Sequence, residues 1–261
     1  MPHAMTIKQF NIIKMNNKLR VIFNFLKSNR EYNKLLQERF YKSVILPYNL
    51  TKDKVISLLY HIANTQSQPK IDKLAETYKS IINDNNCLES FENFIIKINS
   101  KRPSMINFES LYYGLKKQKG WGNKTPALFT KCIYHLHNGQ YSEQLKIWND
   151  VPQTISDRDN FYLPVDAVIT AIFQKLDNSK KWDFDKINKV LKENFNGQEI
   201  EVWDDLWFWG FITQNGSGAN RNFEWNENKY WILKESDKNP EIIRTIKVKA
   251  EEFLSLLTDD N

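Results

Sequence analysis

Gly120-Trp121-Gly122-Asn123-Lys124-Thr125-Pro126 sets two glycines and a lysine at the head of an apolar helical run. Glycines spaced this way let the backbone turn tightly and bring its amides close to an anion. A helix that starts here adds the positive end of its dipole to the same place. A lysine so positioned supports two chemistries: it holds a phosphate as a cation, or it attacks an electrophilic carbon as a neutral amine. The helix end and the neighbouring lysines disfavour the charged ammonium, which suits the nucleophile. A second candidate is Asp166 in Leu163-Pro164-Val165-Asp166. Its carboxylate either caps the helix that follows or stabilises positive charge developing on a substrate.

The elements that must position these groups read as mostly helical. Glycine and proline are scarce, eight each, and apolar residues recur mainly at helical spacing. The periodicity predicts helices over 19–28, 31–46, 88–98, 107–117, 184–195, 199–212 and 240–257. Thr51 is the expected N-cap of a helix carrying Val55, Leu58, Leu59 and Ile62, and Pro69 opens the next. The glycine turn leads into a helix over about Asn123 to His137. Another begins at Val165-Asp166. An irregular connection holding Ser156-Asp157-Arg158-Asp159-Asn160 lies between Pro152 and Pro164, and Phe223 to Trp231 alternates like a short hairpin or extended loop. If 199–212 is one helix, Trp203, Trp207 and Phe211 share a face. That face is either core or a wall on which an unstacked base rests. Asp204 and Asp205 on the same stretch are further candidates for a base edge.

Composition sets bounds on the rest. Hydrophobic residues form 41% and aromatic residues 13% of 261, enough for a packed core. Lys plus Arg number 37 against 31 Asp plus Glu, a mild excess whose distribution says more than its size. From Ser110 to Ser142 there is no acid, while Lys116, Lys117, Lys119, Lys124 and Lys131 all fall there. Such a run is the footprint of a phosphate-binding surface or of a solvated helix face. Two cysteines, Cys87 and Cys132, are too few for a disulfide framework or a four-cysteine cluster. His135 and His137 follow Cys132 closely, but a helix turns 137 away from the other two. No membrane span or signal-peptide pattern is visible, so the expected compartment is the cytoplasm.

Residues 111–129 form helix, glycine turn and helix, and here the chain resembles the helix-hairpin-helix superfamily of DNA glycosylases, the group containing endonuclease III and 8-oxoguanine glycosylase. The lysine-bearing members read Gly-apolar-Gly-x-Lys in the hairpin and carry their aspartate in a Val-Asp pair, as Gly120 to Lys124 and Val165-Asp166 do. Ile56 to Ile71 is similar to the family's early helix and Gln-bearing turn, with Gln66 at the position that fills the gap left by a flipped nucleotide. The three matches span about 51–180 in the family's order. The chain departs from the pattern in three ways: Asp166 lies 42 residues beyond Lys124, which implies an insertion over 138–163; Lys119 stands where proline is common; and Pro126 stands where alanine is usual.

The resemblance implies a mainly α, two-lobed fold with a cleft between lobes and one short β-hairpin. Helices over 1–50 would pack with a C-terminal lobe over 150–261, and 51–149 would form the bundle carrying the hairpin. The implied activity is base excision with associated AP lyase chemistry on double-stranded DNA bearing a damaged or modified base, with 8-oxoguanine as a candidate. Lys124 would be the nucleophile and Asp166 the carboxylate. Gly120, Gly122, Asn123, Thr125, Gln66 and Lys119 would contact DNA, and Trp203, Trp207 and Phe211 would line the base pocket. No iron–sulfur cluster or other cofactor is expected; the hairpin could bind a monovalent cation. The protein would act as a monomer, associated with the nucleoid when bound to DNA. A non-catalytic helix-hairpin-helix DNA-binding module is the alternative, and a helical protein-interaction domain with an accidental glycine turn is the third possibility.

Overall fold

The computed structural model describes residues 7–156, 159–234 and 239–258, and these are mainly helical. The helices are α1 (Ile7–Ser28), α2 (Arg30–Ile45), α3 (Thr51–Ala63), α4 (Ile71–Ile82), α5 (Phe91–Ile98), α6 (Phe108–Lys116), α7 (Lys124–Asn138), α8 (Ala167–Leu176), α9 (Phe184–Asn194), α10 (Gly197–Val202), α11 (Asp205–Ile212), α12 (Glu227–Leu233) and α13 (Pro240–Leu256). Asp157 and Arg158 of the expected irregular connection lie outside the described residues.

Several boundaries differ from the sequence reading for local reasons. Thr51 is the first residue of α3 and Leu50 occupies the cap, with no side-chain capping bond. The alternating stretch after Phe223 folds as α12, capped by Asn226, whose side chain accepts from the Lys229 amide. Phe223 itself ends the expected short hairpin: among the described residues there is one short sheet, β1 (Gln214–Asn215) antiparallel to β2 (Asn222–Phe223), with Gln214 opposite Phe223. The stretch 199–212 is two helices, α10 and α11, so Trp203 does not share a helix face with Trp207 and Phe211. The break serves two buried anchors. Trp203 packs beside Phe23 and Phe173 at 6.5 and 6.3 Å between ring centroids. Asp205 accepts from Arg30 Nε at 3.0 Å and Asn33 Nδ2 at 2.6 Å.

The chain forms two compact units. The first holds residues up to Leu36, Val165–Asn194 and Val202 onward; the second holds Gln37–Pro164 and Phe195–Glu201. These divisions fall inside α2 and just before Val165, whereas the resemblance implies divisions after 50 and after 149. In the first unit α1, α8, α11 and α13 surround a tryptophan-rich core. Phe25 meets Trp209 edge-on at 5.0 Å, and Phe173 lies 5.2 Å from Trp182.

The second unit claims the end of α2 because its apolar side chains are buried there. Tyr41, Val44 and Ile45 are buried, and Ser57 Oγ of α3 donates to the Val44 carbonyl at 2.8 Å. Its core stacks Phe91, Phe94, Phe108, Phe129 and Trp148. The segment after α7 also belongs to this unit, and its carboxylates tie it down. Asp150 accepts from the amides of Phe91 and Glu92 at 2.9 and 3.0 Å, capping α5 from outside the helix. Phe161 packs edge-on against Phe108 at 6.1 Å, and Tyr162 stacks on Tyr112 at 4.2 Å. The described residues of 138–163 are therefore fastened to α5 and α6.

The two buried histidines of α7 are matched to partners. His135 Nδ1 lies 3.2 Å from the Tyr41 hydroxyl and its Nε2 lies 2.5 Å from Glu201 Oε1. His137 Nε2 accepts from the Ile147 amide at 3.3 Å, a bond that only the neutral ring can make. Burial, then the Lys146 charge, lowers the His137 pKa to about 4. The unfolded chain therefore takes up this proton near the ordinary value of 6.5 while the folded chain resists it. Stability from this group is complete above about pH 6.5 and is lost as pH falls through about 4, by on the order of 3 kcal/mol at about 1.4 kcal/mol per pH unit. Denaturant melts across this range should show that slope, and His137→Gln should flatten it.

Candidate active site

The glycine turn is built by what surrounds it. An Asn107–Ser110 capping box opens α6, with Ser110 N donating to Asn107 Oδ1 at 2.9 Å and Asn107 N to Ser110 Oγ at 3.0 Å. Gln118 Nε2 ties the end of α6 to the Ile98 carbonyl at 2.7 Å. The chain then reverses through Gly120, whose φ of +85° lies in the left-handed region that favours glycine. Trp121 turns inward and meets Phe129 edge-on at 6.4 Å, so the apolar residue between the glycines is an anchor. Gly122 has ordinary φ, and a Cβ placed on it would meet nothing within 4 Å. The first glycine is demanded by the turn itself, while the second leaves open space in front of the backbone.

Lys124 is the first residue of α7, and Pro126 sits in the same first turn, where helix amides lack intrahelical partners and a missing N–H costs little. The Lys124 amine donates to the Thr65 carbonyl at 3.1 Å and lies 3.5 Å from the Thr65 hydroxyl. In the opposite sense Gln66 Nε2 donates to the Gly120 carbonyl at 3.2 Å. The α3–α4 turn and the glycine turn are thus cross-tied. Thr77 Oγ1 adds a bond to the Lys119 carbonyl at 2.9 Å, and Lys119 itself is ion-paired with Glu76. Thr65 leaves no signal in the sequence, because no periodicity marks a threonine whose role is to offer its main-chain oxygen.

Other hairpin residues differ from expectation. Thr125 is 2% exposed, so its hydroxyl lies in the interior and is not presented for an external contact. Asn123 occupies the cap position of α7 with helical φ and ψ and makes no side-chain capping bond. Lys131 is 6% exposed and belongs to the interior face of α7, not to an outer basic face. Lys116, Lys117 and Lys119 are the exposed lysines of the run from Ser110 to Ser142. Gly120's carbonyl, an oxygen that a hairpin cation could use, accepts the Gln66 amide here.

Asp166 belongs to the first unit and caps α8. Its Oδ1 accepts from the amides of Val168 and Ile169 at 2.9 and 3.0 Å, and its Oδ2 accepts from Trp207 Nε1 at 2.9 Å. Trp207 stacks on Phe211 at 5.0 Å and 17°. The Lys229 ammonium stands 5.0 Å from the Phe211 ring centre, and burial, then the Arg221 charge, pushes it below the ordinary lysine range. Trp207 and Phe211 are half-buried, whereas Trp203 is 0% exposed and is core, not pocket wall. Asp205, bonded to Arg30 and Asn33 in the interior, is likewise unavailable to a base edge.

The expected site residues thus gather into two groups, one in each unit: Gln66, Lys119, Gly120 and Lys124 in the second, Asp166, Trp207 and Phe211 in the first. Among the described residues no group of three or more His, Cys, Asp or Glu side chains is arranged to hold a metal ion. Nor is any described helix long and apolar enough to cross a membrane. No protein-family model, curated protein or solved structure matches the chain.

The two glycines should separate on substitution. Gly120→Ala meets both positive φ and Leu74, with Cβ 2.9 Å from the Leu74 side chain and 3.0 Å from its amide nitrogen. A loss of about 2 kcal/mol or more is expected in denaturant unfolding. Gly122→Ala should unfold within about 1 kcal/mol of the parent.

Proposed function

We propose that this chain is a base-excision DNA glycosylase with AP lyase activity, acting on double-stranded DNA that bears a damaged or modified base. The observation that carries the reading is the amine of Lys124 in the first turn of α7, directly after a glycine turn and hydrogen-bonded to the turn that bears Gln66. The helix end and the exposed lysines favour a phosphate backbone there. The open space before Gly122 suits close approach of that backbone.

The chemistry follows from these groups. The target C1′ is inaccessible in the stacked duplex, so the nucleotide must leave the helix. The Lys124 amine attacks C1′ as the bond to the base breaks, and the base departs with that electron pair and takes up a proton. The amine then loses a proton and the sugar ring opens to a Schiff base. Removal of a C2′ proton expels the 3′ phosphate, which completes the lyase step. The Asp166 carboxylate would stabilise the positive charge that builds on the sugar as the base leaves. Oxidised purines such as 8-oxoguanine are the first substrates to test, by analogy with lysine-bearing members that lack a cluster.

The alternative of a non-catalytic binding module draws on the same bond, because an amine donating to the Thr65 carbonyl is also what a structural lysine does. Borohydride trapping separates the two. Incubation with duplexes carrying oxidised, deaminated or alkylated bases should yield a covalent protein–DNA adduct stable to denaturing electrophoresis. Lys124→Ala should abolish the adduct and change low-salt affinity by no more than about tenfold, the loss of one cationic contact. Binding without adduct or released base for every lesion identifies the binding module. Absence of binding even at low salt removes both DNA readings in favour of a protein-interaction domain.

A further inference from the structure

The indole of Trp207 is separated from Asp166 by 41 residues, yet its N–H is the donor on the outer oxygen of that carboxylate. The other oxygen is already held by two main-chain amides at 2.9 and 3.0 Å. Two amides alone fix one oxygen of a carboxylate and leave rotation of the second about the Cβ–Cγ bond weakly determined. The indole removes that freedom.

Trp207 is held in turn. It stacks on Phe211, Phe211 lies under the Lys229 ammonium, and that ammonium donates to the Gln214 carbonyl. The Gln214 side chain closes the circuit, its Nε2 donating to the Val168 carbonyl at 3.1 Å, in the first turn of the helix that Asp166 caps. Arg221 bonds the same amide's oxygen. The aromatic pair is thus joined at one end to the carboxylate and at the other to the helix turn behind it. A cation over the ring and a flat stack both resist tilting of the indole.

We propose that Trp207 is a positioning residue for Asp166, holding the open lone pair of Oδ2 in one direction, and that Phe211 and Lys229 act through Trp207. The inference rests on the excision reading above, since it assigns Asp166 a charge-stabilising task that a fixed direction improves. It also assigns the half-buried Trp207–Phe211 pair to orienting the carboxylate as well as to any contact with a base.

A double-mutant cycle in the full chain tests it, with single-turnover excision read on the lesion duplex that traps best. Asp166→Asn keeps the cap and should slow excision by about a hundredfold or more. Trp207→Phe keeps the stack and removes only the donor; it should slow excision about tenfold at unchanged KM. The double variant should be no slower than Asp166→Asn within about threefold, because Trp207 acts through the carboxylate. Multiplicative losses, or a Trp207→Phe enzyme at full rate beside a crippled Asp166→Asn, overturn the positioning role and leave the excision reading standing. Full excision by Asp166→Asn removes the carboxylate's task and the inference with it. An arm independent of activity follows the Trp207 indole proton by NMR. That resonance should move on Asp166→Asn with Trp207 intact, and an unmoved resonance refutes the bond.

Discussion

Two main-chain oxygens, those of Thr65 and Gly120, are the points on which the hairpin region of the second unit depends. Each accepts from a side chain of the opposite turn: Lys124 reaches back to Thr65 and Gln66 reaches across to Gly120. Individually such bonds are worth about 1 kcal/mol. Their value here is geometric, because each is anchored to an element that cannot shift independently. Gly120 is held by its left-handed turn, Trp121 by the core beside Phe129, and Lys119 by Thr77. Moving the early turn would pull on the reversal between α6 and α7, and the reverse holds as well.

The same economy appears where carboxylates meet helix ends. Asp150 caps α5 from a distant segment, Asp166 caps its own helix, and Asp159 lies near the start of α6, where burial raises its pKa and the Glu109 and Ser156 amides oppose that rise. Each uses the unpaired amides of a first turn, which are obligatory donors in search of an acceptor. The same chemistry organises the residues between the glycine turn and Asp166. These residues carry Asp150 to α5 and Phe161 and Tyr162 to α6, and they add Trp148 and Phe161 to the second unit's core instead of looping away from it.

Charge counted along the chain differs from charge at the surface. The acid-free run from Ser110 to Ser142 carries five lysines, yet Lys131 is interior and Lys119 is ion-paired with Glu76, forty-three positions away. The aromatic cluster shows the same gap between spacing and environment. Trp203, Trp207 and Phe211 are four apart, but the chain breaks between α10 and α11. Trp203 is drawn into the core beside Phe23 and Phe173, and only Trp207 and Phe211 stay half-buried.

The helical character, the helix after the glycine turn, the cap at Asp166 and the tolerance of Pro126 were all determined by sequence. Each depends on local rules: apolar period, the conformational range of glycine, the donors of a helix first turn. Tertiary structure alone decided which side chains those local elements meet. It chose Thr65 as the acceptor for Lys124, Trp207 as the donor to Asp166, and Tyr41 with Glu201 as the partners of His135. It also set the unit boundaries inside α2 and before Val165. The reason is that a hydrogen bond or a stack between residues far apart in the chain leaves no periodicity along it; such a pairing exists only once packing has brought the two groups within about 3 to 5 Å.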